Sequence, residues 1–196
     1  MRHILSFLFK PTSWLFSLLI ITSALHAGAQ DWHEEDGPYD YQITDDGTGY
    51  IIHPLNGITY EHELIVPSVR ESDGRPVVGV DGFQYKERLF CIIFPENSQV
   101  KYIGSFEGCT GIEFVDNIPK TVETIGDYAF YGCTRLRDVT LNEGLQYIGI
   151  SCFEGCKSLK SIKLPSTLKV LREKAFRVCT ALETVEFDDG IDFYDN

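Results

Sequence analysis

Five phenylalanines recur along this chain at nearly constant intervals, and no other feature constrains its fold as strongly. The intervals are 23, 24, 23 and 23 residues, between Phe83, Phe106, Phe130, Phe153 and Phe176. Four of these anchors are followed three residues later by a cysteine (Cys109, Cys133, Cys156 and Cys179), and all five have apolar residues six and nine positions later. Such agreement across columns predicts a stack of units of about 23 residues, because periods of this size are typical of solenoids.

Each unit contains a short segment in which apolar and polar residues alternate, as at 136–141 (LRDVTL) and 159–164 (LKSIKL). Alternation predicts a strand with one face inward. Pro165 marks the turn after it, since proline cannot continue a ladder. Leu145 and Ile148 are spaced by three, which favours a short helical or 3₁₀ turn, and Gly149 suggests a tight bend after it.

A single unit of this size cannot bury its apolar face, so the units must stack. The predicted fold class is a leucine-rich repeat solenoid. Short parallel β-strands form one face, and turns with short helical or 3₁₀ segments form the other. About five units fill residues 73–196, and the last begun, near Ile191, is unfinished.

The segment before the repeats has a different pattern. Residues 39–44, 49–53 and 63–67 alternate like strands, and Asp46-Gly47 and Asn56-Gly57 are hairpin turn signals. Because an open solenoid needs a cap at its end, residues 30–72 are predicted to form a polar lead-in and a strand-rich N-terminal cap.

Residues 1–29 have the pattern of a signal peptide. Arg2, His3 and Lys10 precede an apolar run at 14–25, and Ala27-Gly28-Ala29 fits a cleavage site before Gln30. The alternative is a membrane anchor, but a span needs roughly 20 apolar residues. We therefore expect a secreted, extracellular or cell-surface protein, or a periplasmic one, with no transmembrane span after cleavage.

The chain is acidic, and this bears on its partners. Its formal net charge is −12, and loss of Arg2 and Lys10 with the leader makes it −14. Such a surface repels nucleic acid, which we exclude as a partner. We expect a monomer whose partner is a protein, and no cofactor.

The repeat L-x-x-V-x-L-P-x-x-L-x-x-I-G-x-x-A-F-x-G-C, clearest in the last three units, resembles the BspA-type (Treponema-type) leucine-rich repeats. These occur in surface and secreted proteins of Bacteroides-like bacteria, and the resemblance implies adhesion to host or neighbouring cells. The sequence departs from the pattern at residues 83–87 (FQYKE), at Ile103 and at Arg172.

The six cysteines support two interpretations. Recurrence at one repeat position favours a ladder of buried free thiols, because cysteine packs like a small apolar residue. Disulfides in a secreted chain are the alternative. Cys152 and Cys156 are too isolated for a zinc site, so no metal is expected.

Catalysis has little support. The histidines of the mature chain, His33, His53 and His62, all precede the repeats, and a pairing with Cys91 is the one nucleophile arrangement to weigh. The acidic stretches 31–36 and 188–195 lack calcium-loop spacing. We predict no enzymatic activity and no catalytic residues.

The outer face of the strands is the candidate partner-binding site. If the leucine and valine columns point inward, the alternate residues point outward. From the N-terminal to the C-terminal unit these are Cys91, Ile93, Phe114, Asp116, Asp138, Thr140, Ser161, Lys163, Thr184 and Glu186. The apolar residues at the start of this row favour a contact patch, unless the lead-in folds over them.

The leading hypothesis is therefore a secreted or surface scaffold for protein–protein interaction, possessing no catalytic site. Glycan or envelope-polysaccharide binding is the alternative, and Tyr128, Tyr131 and Tyr147 near turns are its candidate residues.

Overall fold

The structure is a computed structural model that describes residues 36–187 and the backbone of 192–193. The predicted signal peptide, His33 and most of the acidic C-terminal residues lie outside the described residues.

The described chain is built from short strands joined by turns. They are β1 (Tyr39–Ile43), β2 (Tyr50–Pro54), β3 (His62–Ile65), β4 (Val77–Val80), β5 (Leu89–Ile93), β6 (Tyr102–Ile103), β7 (Phe114–Asp116), β8 (Thr124–Ile125), β9 (Asp138–Val139), β10 (Tyr147–Ile148), β11 (Ser161–Lys163), β12 (Val170–Leu171), β13 (Thr184–Glu186) and β14 (Asp192–Phe193).

The strands form two faces, between which the chain passes back and forth. One face is a long sheet in the order β1-β2-β4-β6-β8-β10-β12-β14, and the other consists of the sheets β3-β5-β7-β9 and β11-β13. Apart from the β1–β2 hairpin, every strand pairing is parallel. This confirms the predicted solenoid of parallel strands. Strand β14 belongs to the sixth unit, which the sequence begins.

The long sheet replaces the short helical turns that we expected on this face. Leu145 and Ile148 are both buried, but Tyr147–Ile148 is strand, and residues 37–187 contain no helical turn. Their spacing of three arises from a local bulge, because the Glu123 carbonyl accepts both the Gln146 N–H (2.8 Å) and the Tyr147 N–H (3.1 Å). The extra residue lets two side chains three apart point the same way. The same pair of hydrogen bonds to a single carbonyl recurs one turn later.

The five anchor phenylalanines stack between the two faces. Successive ring centroids are 5.5, 5.8, 5.4 and 5.6 Å apart, and the planes are within 16° of parallel. The first four rings are fully buried, and Phe176 is half-buried at the C-terminal end. Stacking at this distance adds to the large apolar area that each ring buries. The ladder is therefore the centre of the core.

The segment before the repeats extends the solenoid at its N-terminal end. Asp46-Gly47 forms the predicted hairpin turn between β1 and β2. Asn56-Gly57 also forms a turn, but not a hairpin, because β2 and β3 belong to different faces. Tyr60 meets Phe83 edge-on, with centroids 5.2 Å apart, and ends the ladder.

The glycines that follow β6 and β10, Gly104 and Gly149, serve close approach rather than a bend. A Cβ on Gly149 would lie 2.4 Å from the Asp127 nitrogen, and one on Gly104 would lie 2.1 Å from the Asp81 carboxylate. The Asp81 carboxylate accepts the Ser105 N–H (2.6 Å) of the next turn, and Asp127 accepts a backbone N–H of the next turn in the same way. Glycine is thus required where an aspartate reaches across to the next turn.

Candidate functional site

The outer face of β3, β5, β7 and β9 carries the first residues of the predicted site. Cys91 pairs with Phe114, and Ile93 pairs with Asp116, in adjacent parallel strands. The described part of the lead-in, residues 36–72, does not fold over this face. Its strand β3 instead extends the sheet by pairing with β5, which places Ile65 beside Ile93.

Phe90 is the most prominent aromatic residue on this face, and the sequence pattern did not identify it. The register of β3 on β5 shifts between His62 and Glu63, whose partners are Leu89 and Cys91, so Phe90 is an extra residue in a bulge. Its side chain is 39% exposed and meets Phe114 edge-on at 5.6 Å. The sequence did contain a signal that position 90 is exposed, because the equivalent residues of the other units are charged: Glu113, Arg137, Lys160 and Glu183.

These side chains form what we term the apolar patch: Ile65, Phe90, Ile93 and Phe114. Ile65 is 56% exposed, and Ile93 and Phe114 are half-buried. Cys91 is different, because it is 6% exposed and contributes little surface. Burial raises the pKa of its thiol, and the nearby carboxylates of Glu63 and Asp116 raise it further. The thiol is therefore protonated and poorly nucleophilic at neutral pH.

Charged groups border the patch on the side of Phe90. Arg88 pairs with Glu61, and Arg135 and Arg137 both pair with the buried carboxylate of Glu113. A pocket of about 330 Å³ opens here, lined by Glu61, His62, Glu87, Arg88, Phe90, Gly111 and Arg135. The patch thus has an ionic rim with a concavity at its edge.

The rest of the predicted site forms a polar row toward the C-terminal end. Its members are all exposed: Asp116, Asp138, Thr140, Ser161, Lys163, Thr184 and Glu186. Ser161 pairs with Thr184 and Lys163 with Glu186 across β11 and β13. The hydrogen-bonded sheet is interrupted between β9 and β11, so the ten predicted residues lie on two adjoining sheets.

A second concavity lies at a turn edge of the solenoid, away from the apolar patch. We term it the tyrosine cleft. Its volume is about 480 Å³, and it is lined by Glu107, Tyr128, Tyr131, Ser151, Glu154, Lys174 and Arg177. The structure brings together Tyr128 and Tyr131, whose rings are 5.9 Å apart. Tyr147 lies in β10 of the long sheet and does not line the cleft.

All six cysteines are free thiols, and four form a ladder of hydrogen bonds. Each of these four thiols donates to the carbonyl of the phenylalanine one unit earlier, at 3.0 to 3.3 Å: Cys109 to Phe83, Cys133 to Phe106, Cys156 to Phe130 and Cys179 to Phe153. Burial raises the pKa of the Cys109 thiol to about 11. The thiols therefore serve packing and hydrogen bonding rather than chemistry.

The described residues offer no arrangement typical of a metal or nucleophile site. No group of three or more metal-ligating side chains occurs among them. His53 contacts Gln42 across the β1–β2 hairpin and lies on the opposite face from Cys91. Within the same residues, no helix has the length and apolar content to cross a membrane.

Solved structures of bacterial leucine-rich repeat proteins include two that are similar in fold to this chain. The T. pallidum leucine-rich repeat protein is 24% identical with a TM-score of 0.66, over 84% of this chain and 86% of that one. A leucine-rich cell surface protein from Faecalibacterium prausnitzii is 24% identical with a TM-score of 0.65, over 84% of this chain and 45% of that one. Thus the present chain spans a little under half of the second protein.

Comparison of sequences gives a family assignment. No curated protein sequence matches this chain. The family model described as BspA type leucine-rich repeat region does match, in six copies over residues 102–196. That region contains four of the five anchor phenylalanines and the whole thiol ladder. Residues 102–196 therefore consist of BspA-type leucine-rich repeats, the family that the sequence pattern resembled.

Proposed function

We propose that the chain is a secreted or cell-surface scaffold that binds another protein through the outer face of β3, β5, β7 and β9. The observation that carries this proposal is the apolar patch. Two large side chains in it, Ile65 and Phe90, are 56% and 39% exposed on an otherwise acidic molecule. Contiguous exposed apolar surface with a polar rim is typical of protein-binding sites.

The pattern of the patch also fits such a site. Phe90 and Phe114 are aromatic residues, the type enriched at the centres of interfaces. The paired arginines Arg88, Arg135 and Arg137 supply the rim. Strand β3 continues the sheet beside this face, so the patch lies on a rigid support.

The family supports the same function at a coarser level. BspA-type repeats are found in bacterial surface-type proteins, and one structural relative is named a cell surface protein. Stacked repeats present an extended surface suited to protein partners. Secretion through the leader at residues 1–29 would place this surface outside the cell, where adhesion to host or neighbouring cells becomes its use.

The proposal is tested by capture of surface proteins on the immobilised mature chain. Replacing Ile65 and Phe90 by serine should weaken capture by about tenfold or more, because central interface residues dominate affinity. The polar-row variant Thr140→Ala/Lys163→Ala/Glu186→Ala should weaken it less and alter its salt dependence.

Tyr147→Ala, on the opposite face, is the matched control and should bind as the parent chain does. Thermal unfolding of each variant shows that the fold is intact, and light scattering excludes a second copy as the captured protein. Equal capture by the serine variant and the parent chain would refute the proposed face.

A further inference from the structure

We propose that the tyrosine cleft binds a neutral hexopyranose unit of a glycan. This inference concerns a different surface from the protein-binding face, and neither depends on the other. The cleft is bounded by two repeat columns: Glu107, Tyr131, Glu154 and Arg177 each follow an anchor phenylalanine directly, and Tyr128, Ser151 and Lys174 each lie two residues before one.

The two tyrosines form an aromatic corner. Their planes meet at 67°, and Tyr128 and Tyr131 are 46% and 36% exposed. A phenol ring combines a broad apolar face with a hydroxyl that donates and accepts hydrogen bonds. A pyranose has the complementary shape, with C–H groups on one face and hydroxyls around its edge.

The fold does not require an aromatic residue at position 128. Tyr128 has a φ of 57°, and its equivalents Ser151 and Lys174 have φ values of 51° and 58°. The column therefore accepts different side chains in the same left-handed conformation. A bulky residue in that conformation bears backbone strain, although 46% of the Tyr128 surface stays exposed to solvent. This points to a ligand rather than to stability.

The polar lining is held in place before any ligand arrives. Glu154 is buried, accepts the Ser151 hydroxyl at 2.7 Å and lies 3.5 Å from the Arg177 guanidinium. On the other side, the Tyr85 hydroxyl donates to Glu107 at 2.9 Å. Fixed carboxylates accept from sugar hydroxyls without losing much side-chain freedom.

The charges of the lining select a neutral sugar. Glu107 and Glu154 are balanced by Lys174 and Arg177, so the cleft has no net charge. An anionic polysaccharide would approach a strongly acidic molecule with no surplus of positive charge in the cleft to offset the repulsion. The volume of about 480 Å³ is within the range of roughly 300–1,000 Å³ that small-ligand sites occupy.

The test is electrophoresis of the mature chain in native gels that contain one soluble polysaccharide each. The neutral probes are laminarin, galactomannan and xyloglucan, and the anionic probes are polygalacturonate and heparin. Retarded migration is expected with at least one neutral probe and with neither anionic probe. Tyr131→Ala should weaken this retardation by about tenfold or more, as expected for loss of a central aromatic contact.

A second variant and two controls make the outcome specific. Tyr128→Asn removes the ring but tolerates a positive φ, and should weaken retardation similarly. Tyr147→Ala and Phe90→Ser keep the cleft and should migrate as the parent chain does. If Tyr128→Asn lowers thermal stability, the result for Tyr131→Ala alone tests the proposal. The backbone of Tyr131 is not left-handed, so this substitution changes no backbone strain.

Three results would overturn the proposal. They are the absence of retardation with every neutral probe, retardation that survives Tyr131→Ala, and retardation by anionic probes that Lys174→Ala removes. None of them bears on capture through the apolar patch, so the two proposals fail separately.

Discussion

The residue two positions after each anchor phenylalanine has a left-handed backbone in all five units. It is glycine in the three middle ones, Gly108, Gly132 and Gly155, with φ between 68° and 76°. In the outer units it is Tyr85 (φ 58°) and Val178 (φ 60°). Glycine adopts this conformation without strain, whereas a β-branched residue is least suited to it. The repeat therefore imposes a backbone on Val178 that its own side chain disfavours.

Val178→Gly should raise the free energy of unfolding by about 1 kcal/mol. Relief of left-handed strain outweighs the greater chain entropy of glycine when unfolded, and the 48% exposed side chain loses little packing. Urea denaturation measures the change. Val178→Ala is the control and should gain less, because a Cβ remains, and Gly155→Ala should have the opposite sign. Destabilisation by Val178→Gly would show that its packing matters more than its backbone.

Single residues also limited the prediction of the site. The outward positions of Ile93 and Phe114 followed from alternation, and the structure places both on the outer face. Phe90 was not predicted because a bulge breaks the alternation at that residue. A bulge cannot be recognised in the sequence of an apolar run such as Leu89–Ile93. Cys91 points to the same face, but neighbouring side chains cover it. Its burial depends on the packing of these neighbours, which the alternation of the sequence does not predict.

At the scale of elements, each turn repeats the same contacts to the turn before it. The thiol ladder is the most regular of them, because one bond from cysteine to a phenylalanine carbonyl recurs four times. Cysteine suits this position because it is small and carries a weak donor that satisfies a buried carbonyl. The recurrence of cysteine in the sequence predicted this buried column.

The buried thiols should make stability fall as pH rises above about 9. Burial raises the pKa of Cys109 from 9.0 to about 11, and raises those of Cys133, Cys152 and Cys156 as well. The folded state thus keeps protons that the unfolded state loses. This contribution is complete below pH 9 and is lost as pH rises through the folded pKa. Each such thiol lowers the unfolding free energy by about 1.4 kcal/mol per pH unit.

Urea denaturation under reducing, oxygen-free conditions between pH 8 and pH 10 measures this slope. Below pH 10 the thiols dominate it, since tyrosines ordinarily ionise near pH 10. The control Cys133→Ala/Cys156→Ala removes two titrating groups and should have a shallower slope. A stability independent of pH over this range would contradict the assignment of the thiols as buried and protonated.

Strands were predicted correctly where burial of one face alone determined the sequence pattern. The strands of the cap, and those of the face formed by β5, β7, β9, β11 and β13, followed from alternation over several residues. The long sheet was missed because its strands, such as Tyr147–Ile148, are two residues long and follow a bulge. A strand of two residues is too short to have a period-two alternation of apolar and polar residues. The spacing of three between apolar residues, as in Leu145 and Ile148, is instead typical of a helical turn.

At the scale of the whole molecule, the described strands form a stack in which each strand pairs with its neighbours in the sheet, and the two ends of this stack differ in how their apolar residues are covered. The N-terminal end is closed by the β1–β2 hairpin and by Tyr60, whose hydroxyl accepts the Leu55 N–H and donates to the Pro38 carbonyl. Toward the other end, Phe176, Cys179 and Val185 are only half-buried. Stability in such stacks is approximately a sum over neighbouring turns.

Tyr60→Ala should therefore loosen the first turns much more than the later ones. Hydrogen exchange followed by mass spectrometry should become faster in β2, β4 and β5, where the aromatic ladder loses its end, and change little in β10 and β12. Phe187→Ala, a substitution of an exposed ring at the other end, is the matched control and should leave β2 to β5 unaffected. Equal acceleration in every strand would instead show that the molecule opens as a single unit.

The parallel pairing of neighbouring turns also determines how the molecule responds to mechanical load. Each described strand of the long sheet pairs with the strands beside it, so a force that pulls the two ends apart acts on these hydrogen bonds in series. The turns would then open one after another, and each opening would release about 23 residues. At 3.3–3.6 Å per extended residue, each step lengthens the chain by about 80 Å. A chain tethered at both ends would therefore lengthen under load in steps of equal size.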